Sequence, residues 1–301
     1  MKATVHTDDG VELAVRATAH GRAPIKVVFV HGFLADSRFW DPLVLELQSH
    51  HLADELDLVV FDARGHGAST RPAKRSVTTV ERMADDLAAV VDWVGQAPVL
   101  VVGHSVGTFV VQEYAYRHAM QFRARVGGLV LFNPASETPS YVAANQKLLK
   151  VTGALRRWRG GALDVMNRSG HRLLEHQFRT QIARAKPGRE QFIPAGASID
   201  AGVLADLVTI MLDYQLDRCA AQVISTVPVW VHTGGRDRVT PLGQAHRLIE
   251  LLGGNARLRV DADSPHSLPY SDPASAAVTV RSAISSLRRR PAIYPTAART
   301  G

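Results

Sequence analysis

An α/β protein, built on a mostly parallel, doubly wound sheet of eight strands with a helical insertion, is the architecture this sequence predicts. Three observations carry the expectation. Short, unbroken apolar runs rich in β-branched residues occur at Val27–Val30, Leu58–Phe61 and Val99–Val102, as expected of central parallel strands covered on both faces. Stretches with one apolar stripe at helical spacing lie between them. The regular alternation of the two kinds of segment calls for right-handed crossovers in a single sheet.

The elements follow in chain order. Thr4–His6 and Val11–Thr18 alternate apolar and polar residues around Asp8-Asp9-Gly10, a hairpin pattern. After the first buried strand, Phe39–Gln48 reads as a helix. Thr78–Val94 reads as a longer one, with Val80, Met83, Leu87, Val90 and Val94 on one stripe. The strand at Val99–Val102 runs through a glycine-flanked turn into a helix over Thr108–His118. Gly128–Phe132, Val227–Val231 and Arg257–Val260 supply the later strands. Arg288-Arg289-Arg290-Pro291 ends the last helix, with a loose tail beyond it. The alternation breaks once, between about Pro134 and Cys219, where helical patterns recur without a strong strand. The expected organisation is therefore a core of residues 1–133 and 220–301 with a helical cap, 134–219, inserted after the sixth strand. Such an insertion would lie over the carboxyl ends of the strands, where ligands sit in open α/β sheets.

Composition narrows the function classes. With 46% apolar and 21% charged residues the chain is ordinary globular material. No run of about 18 apolar residues is present, so no membrane span is expected, and MKATVHTDDG lacks the apolar core of a signal peptide. Cys219 is the lone cysteine, which leaves no intrachain disulfide and no cysteine-based metal site. A cytoplasmic monomer or homodimer is expected. The net charge of +7 raises a nucleic-acid reading, but no zinc-finger spacing, basic zipper or RNP-like motif accompanies it. Between Lys147 and Glu190, eleven Lys or Arg stand against three Asp or Glu. Arg172, Arg179 and Lys186 alternate there with Leu174, Phe178 and Ile182, the pattern of a helix with one wet and one dry face.

The chemistry centres on Gly103-His104-Ser105-Val106-Gly107, between an apolar strand and a helix. A sharp strand-to-helix turn forces strained backbone angles on the serine and leaves little room for a Cβ at the glycines two residues either side. It also sets the hydroxyl at a helix N-terminus, where free amides favour developing negative charge.

Four stretches in this order make the chain resemble the α/β-hydrolase superfamily, in its capped, epoxide-hydrolase-like or haloperoxidase-like branch. They are His31-Gly32-Phe33, Asp62-Ala63-Arg64-Gly65-His66-Gly67-Ala68-Ser69, the serine turn, and a late pair: Gly234-Gly235-Arg236-Asp237-Arg238-Val239-Thr240-Pro241 and Ser264-Pro265-His266-Ser267. The resemblance implies Ser105 as nucleophile, Asp237 as acid and His266 as base, in the superfamily's chain order. It implies an oxyanion hole from the backbone N–H groups of Phe33 and Val106. Leu34, His104, Trp158, Phe178, Val208 and Met211 are candidates for the substrate pocket. His31 is expected to brace the oxyanion loop, His66 to be structural, and Asp62 and Arg64 to fix their loop through local hydrogen bonds. Relatives that open epoxides carry an aspartate where this chain has Ser105, so that chemistry is disfavoured. Thr108 replaces a glycine common in relatives, and Asn133 at the end of strand six leaves the acid at Asp237.

The implied activity is hydrolysis of a carboxylic ester, lactone or thioester of a small apolar molecule through an acyl-enzyme, with no cofactor and no metal. The same three residues would also serve carbon–carbon bond hydrolysis, acyl transfer or cofactor-free haloperoxidation. A receptor that keeps a hydrolase pocket is the non-enzymatic alternative.

Overall fold

The computed structural model describes residues 1–18, 23–49, 55–72, 77–138 and 199–289. Eight strands form one sheet: β1 (Lys2–His6), β2 (Glu12–Ala17), β3 (Ile25–Val30), β4 (Leu56–Phe61), β5 (Val99–His104), β6 (Val126–Phe132), β7 (Val229–Gly234) and β8 (Ala256–Asp261). Their spatial order is β1-β2-β4-β3-β5-β6-β7-β8. The β1–β2 hairpin and the β2–β4 pair are antiparallel, and every later pair is parallel. β3, β4, β5 and β7 are buried along their whole length, which is why their sequences are apolar without alternation.

Period two reappears in which face each residue serves. Val28, Val30, Val59, Phe61, Val99, Val101, Leu129, Leu131, Val229 and Val231 belong to one core. It is filled from the helices by α2 (Val80–Trp93) and α3 (Val106–Arg117). Val27, Phe29, Leu58, Val60, Leu100, Val102, Val130, Phe132 and Trp230 belong to the other, against α1 (Asp41–Gln48). The final helix also packs on that second face.

Several element ends differ from expectation for local reasons. Ser37–Trp40 is a separate 3-10 turn, capped by the Asp36 carboxylate on the Arg38 N–H, and α1 begins beyond it with Pro42 in its first turn, where a missing N–H costs nothing. α3 starts at Val106 rather than Thr108. After it α4 (Ala119–Arg125), not foreseen, resumes past the non-helical His118. β7 begins at Val229 because Pro228 has no N–H to give; its carbonyl accepts from Leu129 instead.

Beyond β6 the chain leaves the sheet through a narrow neck. Thr138 N–H donates to the Tyr214 carbonyl at 3.0 Å, and Leu216 N–H donates to Ser136 at 2.7 Å. The outgoing and returning strands thus lie side by side. On the return, α5 (Ala201–Asp213) starts from the Asp200 cap. It is rooted by Asp200 N–H on the Gly65 carbonyl and by the Asp206 carboxylate on the Thr78 N–H. α6 (Arg218–Ile224), α7 (Leu242–Leu252), the short α8 (Leu268–Ser271) and the long α9 (Pro273–Arg289) complete the described residues. Trp158, Phe178 and the basic stretch 147–190 lie outside them.

Candidate active site

β5 delivers its last residue, His104, to the carboxyl edge of the sheet, and the chain turns there into α3. Ser105 takes φ 53°, ψ −124°, a left-handed angle that costs a non-glycine residue of order 1–3 kcal/mol. Its N–H donates to the Phe132 carbonyl at 3.1 Å, and its own carbonyl accepts from the Thr108 hydroxyl at 2.6 Å and the Thr108 N–H at 2.8 Å. The threonine that replaces a third glycine therefore ties down the turn. The two glycines are unequal. A Cβ on Gly107 would lie 2.4 Å from the Val30 carbonyl oxygen, whereas one on Gly103 would meet nothing nearer than 3.2 Å. Gly107 is required by close approach to β3; Gly103 is merely tight.

Three side chains distant in sequence meet at this turn. His266 Nε2 lies 2.9 Å from Ser105 Oγ, and His266 Nδ1 lies 2.7 Å from Asp237 Oδ2. Asp237 follows β7 and His266 follows β8, so both loops open at the carboxyl edge of the sheet. A carboxylate can only accept, so Nδ1 carries the imidazole proton and Nε2 is free to accept from the serine.

Asp237 is saturated with donors. Val239 and Thr240 give their N–H groups to Oδ1, at 2.8 and 2.9 Å. Asn133 Nδ2 lies 2.6 Å and the Thr240 hydroxyl 2.7 Å from Oδ2. Burial pushes the carboxyl upward, but the His266 charge and these hydrogen bonds outweigh it and hold it below the usual aspartate range. Asn133 and Thr240 were missed as site residues by sequence reasoning. Their one signal was position: Asn133 stands at the end of a predicted strand, and it adopts a positive φ of 46° that turns its amide toward Asp237.

The Phe33 and Val106 N–H groups form no backbone hydrogen bond among the described residues. The loop that holds Phe33 is set by His31, whose Nδ1–H donates to the Gly32 carbonyl at 3.0 Å while Nε2 accepts from Ala63 N–H at 3.0 Å. Leu34, half-buried, sits at φ 60° in the same loop. Val208 and Leu212 of α5 pack with Met211 against Phe33, so an apolar wall adjoins the loop. Two expectations are corrected here. His104 does not line the pocket: it is buried against Phe39 and Trp40, with its ring 4.6 Å from that of Phe39, on the opposite core face. Arg64 does not act locally either. Its guanidinium forks onto Asp86 of α2 at 2.6 and 2.7 Å and reaches Asp9 of the hairpin at 2.8 Å. Asp62 does what was expected and more, accepting the Ala68 N–H and also the distant Ser37 N–H, each at 2.8 Å. His66 is buried, its Nδ1 2.9 Å from the Arg64 carbonyl.

With this geometry described, comparison with known proteins gives the family. The model of the Hydrolase_4 family, described as serine aminopeptidase S33, matches residues 22–272. The chain belongs to that family. A bifunctional esterase/perhydrolase DCH of Acinetobacter calcoaceticus is 34% identical to it over 114 residues, 38% of this chain and 39% of that protein. A non-heme haloperoxidase of Rhodococcus erythropolis is 24% identical over 277 residues, 88% of this chain and 92% of the relative. The chain spans less than two-fifths of the curated relatives matched at 34–36% identity. Among solved structures, a thermophilic esterase from Thermogutta terrifontis superposes with a TM-score of 0.72 at 22% identity, over 95% of this chain and 99% of the other. This Hydrolase_4 chain thus has the α/β-hydrolase fold. No helix among the described residues is long and apolar enough to cross a membrane.

Proposed function

We propose that this protein is a serine hydrolase cleaving a carboxylic ester, lactone or thioester of a small apolar molecule through an acyl-enzyme. The observation that carries the reading is the hydrogen-bonded series from Ser105 Oγ to His266 Nε2 at 2.9 Å and from His266 Nδ1 to Asp237 at 2.7 Å. Ser105 attacks the acyl carbon as its proton passes to Nε2. The Phe33 and Val106 amides receive the oxyanion, aided by the N-terminus of α3. The tetrahedral adduct collapses, His266 returns the proton to the departing oxygen or sulfur, and the acyl group stays on Ser105. Water then repeats the sequence and frees the acid. Asp237 remains ionised and stabilises the imidazolium. Phe33, Val208, Met211 and Leu212 favour an apolar substrate, and 134–219 acts as a cap that sets its size.

A panel of p-nitrophenyl esters, lactones, thioesters and aminoacyl p-nitroanilides, with a fluorophosphonate probe alongside, tests the reading. Wild type should label at Ser105 and turn over at least one ester class, and Ser105→Ala should do neither. Undiminished turnover by Ser105→Ala would sink it, and preference for aminoacyl anilides would move the substrate to peptides.

A second reading rests on the haloperoxidase matched over 88% of this chain. Hydrogen peroxide in place of water would attack the same acyl-serine and release a peroxyacid, and peroxyacid formation at millimolar peroxide reads this directly.

A further inference from the structure

His104 occupies the last position of β5, one residue before Ser105, and its imidazole joins three separate segments. Its Nε2–H donates to the backbone carbonyl of His266 at 2.8 Å; a carbonyl only accepts, so the proton sits on Nε2. The two rings lie 4.9 Å apart. Its bare Nδ1 faces Gly32 of the oxyanion loop, where an added Cβ would come within 2.9 Å of it. Phe39 stacks on the ring at 4.6 Å, and Tyr270, just beyond His266, stacks on Phe39 at 5.8 Å.

Packing alone does not explain an imidazole here. The residue is 3% exposed, and Nδ1 has no hydrogen-bond partner among the described residues, a burial that costs about 1–3 kcal/mol. A phenyl or thioether side chain would fill the same space without that cost. What the imidazole alone supplies is the hydrogen bond to the backbone of His266.

We propose that His104 is a positioning residue, which fixes the His266 backbone and through it the seating of His266 Nε2 on Ser105. The inference rests on the serine-hydrolase reading. Burial first, and the neighbouring His266 charge second, hold the His104 ring down at about 3, so the donor stays neutral across the working range and the bond does not switch with pH. Misplacing a catalytic group by about 1 Å costs on the order of a hundredfold in rate. Loosening a single backbone anchor should cost less.

The test compares His104→Met with His104→Gln, which are close in length and shape and differ in the N–H donor. Met should lower kcat for a short p-nitrophenyl ester and the fluorophosphonate labelling rate by about tenfold, with KM within about twofold. Gln should recover both rates to within about threefold of wild type. The downfield proton resonance of His266 Nδ1–H should broaden in the Met variant and return in the Gln variant. Equal rates for Met and Gln, whether both normal or both impaired, would overturn the proposal. Should Met not fold, Phe replaces it in the same comparison, since it keeps the stack on Phe39. Ser105→Ala separates the two failures. If that variant is fully active, the serine reading fails; if it is dead while Met and Gln agree, only the positioning role fails.

Discussion

Asp237 is held by five donors from four residues, and that crowding explains both its role and its vulnerability. Replacing it by Asn leaves the shape but presents an N–H where His266 Nδ1–H needs an acceptor, so the imidazole is driven to the other tautomer. Asp237→Asn should lower kcat by about 10³-fold or more with a small change in melting temperature, measured on whichever ester the panel identifies. A loss under about tenfold would assign the acid to another carboxylate. At this scale the sequence was informative where motifs are local. Ser105, Asp237 and His266 each sit in a short recognisable stretch, and the structure brings the three together. Asn133 was visible only as a strand end, because its amide finds Asp237 across 104 residues, and no local pattern records such a contact. His104 was misjudged for the complementary reason. It stands beside Ser105, but it closes the strand before the turn, and its ring packs against Phe39 and Trp40.

Helices, strands and turns were legible wherever burial was uniform or striped, and less so at their ends. The strands β3, β4 and β5 follow from apolar runs. The start of β7 depends on Pro228, and α1 starts at Asp41 because Ser37–Trp40 forms its own 3-10 turn under the Asp36 cap. The serine turn makes a sharper prediction. Gly107→Ala drives a Cβ into the Val30 carbonyl, backbone against backbone, and should abolish soluble folding or lower the melting temperature by more than about 10 °C. Gly103→Ala should cost less than half as much, because its nearest neighbours at 3.2 Å include the movable Val111 side chain. Equal effects would mean that strain at Ser105, not close approach, sets the requirement. Arg64 links the β1–β2 hairpin to α2. Arg64→Met would strand the buried Asp86 carboxylate and should destabilise by about 3–5 kcal/mol in a denaturant melt. A surface-like loss below about 1 kcal/mol would show that the network is dispensable.

For the whole molecule, two buried histidines make stability fall in acid, and the Asp86 carboxyl, pushed up to about 6 by burial, opposes one of them below that pH. Burial, with a smaller contribution from neighbouring histidines, holds His66 and His104 each down to about 3 in the folded state, against about 6.5 in an unfolded chain. Between those values the unfolded chain binds protons that the folded one refuses. Stability therefore falls as pH is lowered from about 6.5 towards 3, by up to about 1.4 kcal/mol per pH unit for each residue. Melting temperatures from pH 7 to 4 should drop along this slope, and His66→Gln, which cannot titrate, should make it shallower. An unchanged slope would place the acid sensitivity elsewhere. Asp237 acts later: its depressed carboxyl loses its contribution only as pH falls below the ordinary aspartate range. A mostly parallel sheet of eight strands with a leading hairpin was legible as a class. The pairing of β2 with β4 was not, since it is decided by packing between segments some forty residues apart.

The neck after β6 carries an evolutionary consequence. Ser136–Thr138 and Tyr214–Leu216 are hydrogen-bonded to each other, so everything between them departs and returns at one spot on the scaffold. Lengthening a closed excursion costs only about 0.6 kcal/mol per doubling. Selection can therefore lengthen or shorten the part of it that precedes Asp200 while the scaffold is kept, whereas α5, rooted on Gly65 and Thr78, stays with the core. Chimeras that exchange residues between Thr138 and Asp200, and so leave α5 in place, should keep a melting temperature close to that of the parent.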